Sequence, residues 1–227
     1  MFFDPLFLLM LAPALILSIW AQFRVKSTFS KFSKVRSSSG LTGAQVAEAI
    51  LQANGVGGVR IEPVHGMLSD HYDPSKRVLR LSEAVYGERS VAAAGIAAHE
   101  VGHALQHKAA YSPLVLRQTL APAAIAGSNF AYIVIFLGFI LSMSTLVWAG
   151  IGLFTLAVVF SLVTLPVEFD ASRRAKAALQ QIGLVSGSDR DGVSTVLNAA
   201  AMTYVAAAVS AILTLLYYVL RAQGSRD

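Results

Sequence analysis

The sequence predicts an α-helical multi-pass membrane protein with a small cytoplasmic α+β domain, and three observations support this fold class. The 227 residues are 55% hydrophobic and only 14% charged, whereas soluble proteins average about 45–50% and about 25%. Four apolar segments are each long enough to cross a hydrocarbon core of about 30 Å. The polar stretch between the first and second segments carries both helix and strand patterns.

The four apolar segments are predicted to be membrane helices. The first, residues 1–23, has Asp4 rather than a basic region before its apolar run, so we expect a retained helix and not a cleaved signal peptide. Residues 120–167 contain no charged side chain and are long enough for two helices that form a hairpin with its turn near Ser142. A fourth helix and a short tail are expected over residues 203–227.

Basic residues after the first helix predict the orientation of the chain. They are Arg24, Lys26, Lys31, Lys34 and Arg36. By the positive-inside rule, residues 24–119 face the cytoplasm, and the hairpin returns the chain there for residues 168–202. The expected location is the inner (plasma) membrane, with any site in these two segments facing the cytoplasm. Because anchoring beside the lipid bilayer explains the net charge of +5, we do not expect nucleic-acid binding.

The cytoplasmic stretch is predicted to begin with a linker and a helix. Residues 27–40 are rich in Ser and Lys, which is typical of a solvated or headgroup-level linker. Thr42 and Gln45 have the spacing of a capping box for a helix that ends at Asn54 and Gly55. Apolar residues at helical spacing give this helix one face to bury.

Two short strands and a second helix follow. Alternating side chains predict strands at residues 59–62 and 77–81, with residues 70–74 as a turn between them. Ser90 can cap the next helix, which is rich in alanine. Helix, short sheet and helix is the minimal order of elements in a zincin, so the cytoplasmic domain is predicted to be zincin-like.

The second helix contains the most informative motif of the chain, His99-Glu100-Val101-Gly102-His103. Residues four apart share one face of an α-helix, so His99 and His103 can hold a single Zn²⁺ ion. Glu100 projects beside them and can take a proton from water that the metal acidifies. The chain has no cysteine, which excludes thiolate catalysis, disulfides and Cys-ligated zinc.

A catalytic zinc needs a third protein ligand, and three residues compete for that role. His107 continues the series on the same helix, but rings spread over about 12 Å of a straight helix cannot converge on one ion. His71 lies in a predicted turn and could be a ligand or a group that contacts the transition state. Glu168 is the strongest candidate, because a carboxylate at the edge of a membrane is costly and tends to be functional. It is expected to open a cytoplasmic helix directly after the third span, where an N-terminal helix charge is the alternative explanation.

Four separated blocks of the sequence resemble a known family. The blocks are GLTGAQVAEAIL, LSDHYDPSKRVLRLSE, AAHEVGHALQH and LPVEFDASRRA, and the resemblance to the YugP-type membrane zinc metallopeptidases of bacteria covers residues 23–220. More remotely, the chain is similar to the HtpX-like and CAAX-prenyl-protease gluzincins. The resemblance implies a gluzincin-type domain with His99, His103 and Glu168 as zinc ligands and Glu100 as general base.

One position departs from the gluzincin pattern. Gluzincins often carry ExxxD, in which the aspartate orients a zinc-bound histidine, whereas here Asp170 follows Glu168 by two residues and points about 200° away. Ser172 occupies the usual aspartate position. The group that orients the histidines therefore stays open, with Asp70 and Asp73 as further candidates.

The predicted activity is endopeptidase hydrolysis of membrane proteins or peptides near the cytoplasmic membrane surface. Glu100 would deprotonate the attacking water and later protonate the leaving amine. His71, Tyr72 or Arg173 could stabilise the developing oxyanion, and the strand at 78–81 could hold substrate by β-augmentation.

Two other classes of protein compete with this prediction. A catalytically inactive zinc-binding scaffold or regulator would have no need of Glu100 as a base. A transporter is disfavoured because the predicted spans carry no ionisable side chain in their interiors. The sequence does not predict substrate identity or oligomeric state; Gly138, Gly150 and Gly152 allow close helix packing within one chain or between chains.

Overall fold

The computed structural model describes residues 5–224 and is mostly helical, with a small three-stranded sheet. In chain order the elements are α1 (Pro5–Phe32), α2 (Gly43–Ala53), β1 (Arg60–Val64), β2 (His71–Asp73), β3 (Val78–Ser82), α3 (Glu83–Tyr86), α4 (Val91–Lys108), α5 (Ser112–Ile140), α6 (Ser144–Gln181) and α7 (Ser188–Gly224). They form two compact units. The helical unit contains described residues 5–22, 112–166 and 203–224, and the mixed unit contains residues 23–111 and 167–202.

Four helices are long and apolar enough to cross a membrane, namely α1, α5, α6 and α7. They cover the four predicted segments, and the hairpin turn falls between Ile140 and Ser144 as expected. Within the helical unit many large apolar side chains point outward, and Leu9 is 74% exposed. Such a surface suits lipid as the surrounding solvent, since hydrocarbon carries no penalty for exposed apolar groups.

Glycines bring α5 and α6 into close contact near the hairpin turn. A β-carbon added to Gly138 would lie 2.7 Å from the backbone nitrogen of Val147, and one added to Gly150 would lie 2.9 Å from that of Ile135. Two of the three glycines predicted to permit close packing therefore do so within this chain. Gly152 faces open space, because an added β-carbon would meet nothing within 4 Å.

The prediction of a solvated or headgroup-level linker at residues 27–40 is wrong for its first part, which is helical, although both lysines and several of the serines of this segment are exposed. Helix α1 continues to its end at Phe32, and the rings of Phe29 and Phe32 pack against the apolar core of the mixed unit. Beyond the helix, the backbone carbonyl of Val35 accepts a hydrogen bond from the amide of Val91. The Ser and Lys residues suggested solvent, but the intervening phenylalanines attach this segment to the domain.

The sheet has the strand order β1-β3-β2, with β1 parallel and β2 antiparallel to β3. Strand β2 lies inside the predicted turn at 70–74, and the turn itself follows it, because the Asp73 carboxylate accepts hydrogen bonds from Ser75 and Lys76. Strand β3 is paired on both sides. The prediction that residues 78–81 bind substrate by β-augmentation is therefore wrong, since a central strand has no free backbone groups to offer.

Helix α4 lies in the core of the mixed unit, with most of its alanines buried. Its start is capped by the Ser90 hydroxyl, which accepts a hydrogen bond from the amide of Ala93. The capping box of α2 is also present, with reciprocal bonds between Thr42 and Gln45. Both helix starts are thus confirmed, and the cap at Ser90 sets where α4 begins relative to its motif.

Helix α6 differs from the prediction at the position that matters most. It runs without a break from Ser144 to Gln181 and passes through Pro166, so Glu168 lies inside a long helix and does not open a new one. Helix-forming residues continue after the proline, and Asp170 pairs with Arg173 and Arg174 one turn later. These local pairs favour continued helix beyond the apolar segment.

Candidate metal centre

Two helices of the mixed unit bring three potential metal ligands together. His99 and His103 of α4 and Glu168 of α6 offer ligand atoms that all lie within 4.8 Å of one another. The Glu168 Oε2 atom is 3.2 Å from Nε2 of His99 and 3.6 Å from Nε2 of His103. Ligands at about 2.0–2.1 Å around a tetrahedral zinc are about 3.4 Å apart. Two imidazoles and one carboxylate at these distances fit a catalytic zinc site.

A glycine inside the motif allows this convergence. A β-carbon added to Gly102 would lie 2.4 Å from the backbone carbonyl oxygen of Ala171, which is far inside any permitted contact. The two helices can therefore touch backbone to backbone only because position 102 has no side chain. The second variable position of the HExxH motif must therefore be glycine for these two helices to pack as they do.

His103 is oriented by a fully buried glutamine. Its Nδ1 is 3.0 Å from Oε1 of Gln106, whose amide nitrogen donates to the backbone carbonyl of Val167 and to the carboxylate of Asp170. Because both acceptors fix the direction of the amide group, its oxygen must face the imidazole. Nδ1 of His103 therefore carries the proton, and Nε2 keeps its lone pair for a metal.

His99 has a simpler partner. Its Nδ1 lies 3.1 Å from the hydroxyl of Ser172, so Ser172 holds the position in which gluzincins often have an aspartate. The suggestion that Asp70 or Asp73 orients a histidine is wrong. Asp70 accepts hydrogen bonds from the amide and hydroxyl of Ser82, and Asp73 is held in its own turn.

The charges of the site favour a cation. Neutral Nε2 atoms and a carboxylate are all acceptors, and acceptors this close repel one another unless a proton or a metal ion lies between them. Burial by itself lowers the pKa of His103, but its hydrogen bond to Glu168 and the negative charges of Glu100 and Glu168 outweigh that effect, so the pKa is raised. A proton on His103 is therefore held more tightly than on a free imidazole, and a metal ion would compete with it.

Glu100 has the surroundings expected of a general base beside such a site. Glu100 lies on α4 between His99 and His103, and it is buried, with 8% of its surface exposed. Within residues 5–224 its carboxylate accepts no hydrogen bond, whereas Glu168 and Asp170 are both engaged. An unengaged carboxylate next to the ligands is able to hold and deprotonate a water molecule.

The other candidate residues lie in different surroundings. His107 contacts the Tyr72 hydroxyl through Nδ1 at 2.9 Å, as expected of a ring one turn too far along α4 to join the ligands. His71 is exposed on β2, where its ring contacts the carbonyl of Ser69 and the guanidinium of Arg80. Arg173 pairs with Asp170. The structure thus brings Glu168 to the histidine pair, and places His71 on the strand at the edge of the sheet.

Sequence reasoning did not identify Gln106. A usable signal was present, because Gln106 follows His103 by three residues and so lies on the same helix face. A polar amide on the buried side of an alanine-rich helix needs a partner. The helical spacing predicts that Asp170 points away from Glu168, and Asp170 is not one of the three ligands; its buried carboxylate instead holds Gln106 in place and so acts on His103 through that amide.

Comparison with known proteins shows the family of this chain. The sequence model of the family described as "Putative neutral zinc metallopeptidase" matches residues 7–223. A relative from Bacillus subtilis (strain 168), named "Putative membrane protease YugP", is 50% identical over 222 residues, which are 98% of this chain and 99% of the relative. No solved structure matches the chain.

Proposed function

Because this chain belongs to the neutral zinc metallopeptidase family, we propose that it is a membrane-embedded endopeptidase of the gluzincin type. In this proposal His99, His103 and Glu168 hold zinc, and Glu100 is the general base. The observation that carries it is the convergence of three ligand atoms within 4.8 Å beside the buried carboxylate of Glu100, which accepts no hydrogen bond in the described chain.

The protein side chains divide the work of hydrolysis. Zinc, when bound, supplies Lewis acidity that acidifies a coordinated water and polarises the scissile carbonyl. Glu100 takes the proton of the attacking water and returns it to the leaving amine. Gln106 keeps the imidazole of His103 in the tautomer that leaves Nε2 free, and Ser172 holds the orientation of the His99 ring through its Nδ1.

Substrate is proposed to pair with β2, which lies at the edge of the sheet and packs against α4. An extended peptide added to β2 would continue the antiparallel pairing. His71 lies on this strand, and we assign it the role of contacting the substrate or the developing oxyanion. The proposed substrates are membrane proteins or peptides near the cytoplasmic surface of the inner membrane, since basic residues crowd the end of the first apolar segment.

The test is hydrolysis of a fluorogenic peptide library by the zinc-loaded, detergent-purified full chain. Glu100→Gln should lower turnover about 10²–10⁴-fold, the usual contribution of a general base, while zinc content stays at the wild-type level. Glu48→Gln is the matched control, because Glu48 is an exposed residue of α2 that only contacts Gln52. It should retain full activity.

Two results would contradict the proposal. Full turnover by Glu100→Gln would remove this residue from the chemistry. Wild-type protein that binds zinc but cleaves no peptide in the library would favour the alternative, an inactive zinc-binding scaffold or regulator.

A further inference from the structure

A cavity of the mixed unit lies beside the helix that carries the candidate metal site. Its volume is about 320 Å³, room for a side chain of several heavy atoms. The lining residues are Gly55, Val56, Gly57, Val59, Tyr72, Arg77, Ala104, His107 and Lys108. This cavity is called the basic pocket below, because its lining includes an arginine, a lysine and a histidine but no aspartate or glutamate.

The cations of the basic pocket are not neutralised by carboxylates. Lys108 donates to the backbone carbonyls of Asn54 and Gly55, which fixes its ammonium group at the wall without cancelling its charge. Arg77 makes no ion pair in the described part of the chain. The nearest acid along the sequence, Asp73, does not line the pocket; its carboxylate accepts hydrogen bonds in its own turn and lies 3.9 Å from the guanidinium of Arg80. Positive charge therefore remains available in the pocket.

Two polar groups complete the wall. The Tyr72 hydroxyl and Nδ1 of His107 are 2.9 Å apart. When the hydroxyl donates this bond, Nε2 of His107 carries a proton and becomes a donor. A guanidinium, an ammonium and an imidazole N–H in one cavity form a donor set suited to an oxyanion.

The backbone of Arg77 supports a role for its side chain. Its φ is 50°, a left-handed conformation that is uncommon for residues other than glycine, asparagine and aspartate. Glycine would occupy the same turn position without strain. An arginine at a strained position that also lines a cavity is a reasonable sign of function.

The basic pocket is at subsite distance from the proposed reaction centre. Ala104 directly follows His103. His107 lies about one helical turn after His103, about 6 Å further along the helix axis. An extended peptide advances about 3.3 Å per residue, so one or two residues separate the scissile bond from this pocket. Tyr72 belongs to β2, the strand proposed to pair with substrate.

We infer that the basic pocket, formed by Arg77, His107, Lys108 and Tyr72, is a specificity subsite for a carboxylate-bearing residue of the peptide substrate. The inference rests on the proposed peptidase function and adds the substrate class: peptides with Asp or Glu within two residues of the cleaved bond. The bound chemistry is an oxyanion, so inorganic phosphate should compete for the same donors.

The test compares pairs of peptides that differ only by Glu or Gln at one position. Zinc-loaded wild-type protein should cleave the Glu peptide with about tenfold higher kcat/KM, the order expected for a charge-assisted contact. Arg77→Gln should reduce that preference to about twofold, mainly by lowering kcat/KM for the Glu peptide. Lys76→Gln is the matched control, because it removes the same charge from the same turn without lining the pocket, and it should keep the full preference. Inorganic phosphate should inhibit cleavage of the Glu peptide in wild type and not in Arg77→Gln.

A binding measurement separates this inference from the peptidase proposal. Calorimetry with zinc-loaded Glu100→Gln protein should show tighter binding of the Glu peptide than of the Gln peptide, with the difference lost when Arg77→Gln is added. Peptides cleaved or bound without regard to Glu or Gln would overturn the subsite and leave the peptidase proposal intact. If no peptide is cleaved, the peptidase proposal fails, and the calorimetry alone decides the pocket. Phosphatidylglycerol micelles that bind in an Arg77-dependent manner, together with no discrimination between peptides, would make the pocket a lipid site and overturn the inference.

Discussion

Helix α6 carries apolar side chains before Pro166 and buried polar ones after it, although both halves meet a neighbouring helix through a glycine contact. In the first half, Gly150 of α6 lies against the backbone of Ile135. In the second half, Ala171 of α6 lies against Gly102 of α4. A β-carbon added at Gly150 would lie 2.9 Å from the backbone nitrogen of Ile135, and one added at Gly102 would lie 2.4 Å from the carbonyl oxygen of Ala171, so neither position has room for a side chain.

The two contacts have different consequences. The first buries apolar side chains such as Val147 and Ile151, so it contributes packing alone. The second places Glu168 and Ser172 against the histidines of α4. Close helix packing is therefore structural in one half of α6 and chemical in the other, and substitutions can separate the two roles.

The largest effect is expected from Gly102→Ala. The added methyl would press on the carbonyl of Ala171, and relief requires α4 and α6 to move apart. Metal–ligand distances tolerate only about 0.2 Å, so zinc affinity should fall about a hundredfold or more. Competition with a fluorescent zinc chelator measures it.

Two control variants sharpen this prediction. Gly95→Ala makes the same change on the same helix, but its β-carbon would meet Val193 at an ordinary 3.4 Å, so zinc affinity should be unchanged and stability equal or up to about 1 kcal/mol higher. Gly150→Ala should lower the melting temperature through its contact with Ile135, yet leave zinc affinity at the wild-type value. Equal zinc affinity in Gly102→Ala and Gly95→Ala would refute the chemical role of the α4–α6 contact.

Gln106→Leu is expected to weaken zinc binding next most strongly. The leucine fills a similar volume but leaves Nδ1 of His103 and the carboxylate of Asp170 without their shared partner. Loss of a group that orients a metal ligand typically costs about 10–100-fold in affinity. NMR of the metal-free protein at a pH high enough for His103 to be neutral should also show this ring losing its single tautomer; an unchanged tautomer and affinity would exclude the proposed relay.

Zinc affinity should also depend on pH through His103. Its pKa is raised above 6.5, so the folded, metal-free protein holds this proton more tightly than a free imidazole does. Zinc must displace the proton, and affinity should therefore rise with pH through a window that lies above 6.5, by about tenfold per pH unit below the pKa. Titrations between pH 6 and pH 8.5 measure it, and an affinity independent of pH would contradict the raised pKa.

Ser172→Ala should have the smallest effect. His99 loses one neutral hydrogen bond, worth about 1 kcal/mol or roughly fivefold in zinc affinity. The loss should be clearly smaller than that of Gln106→Leu, because Ser172 is a single partner whereas Gln106 is itself fixed by two acceptors. A larger loss for Ser172→Ala would reverse the ranking of the two imidazole supports.

Local chemistry was predictable from the sequence, and non-local pairing was not. The HExxH motif and the Ser90 cap were predictable because each depends on residues close together in the sequence. The role of Glu168 as a ligand candidate was predictable because a carboxylate near a membrane is costly. The pairing of β2 with β3 depends on contacts between two strands. The residues at 70–74 are typical of a turn, so their sequence did not predict that a strand forms there. Pro166 removes one backbone hydrogen bond from α6. The ion pairs of Asp170 with Arg173 and Arg174 favour continued helix after it.

Gln106 shows the same limit within the site. Its position on the helix face could be read from spacing, but its two acceptors belong to α6 and become known only when α4 and α6 meet. The structural need for Gly102 has the same origin, because the carbonyl that excludes a side chain comes from Ala171, distant in sequence.

The most direct test of the metal centre is the zinc content of the detergent-purified protein, wild type beside Glu168→Gln, by mass spectrometry. The account predicts about one zinc per wild-type chain, lost or greatly weakened in the variant. Zinc retained at full affinity in Glu168→Gln would remove this carboxylate from the ligand set and contradict the three-ligand site. Wild-type protein without zinc, even after reloading, would contradict the metal centre itself.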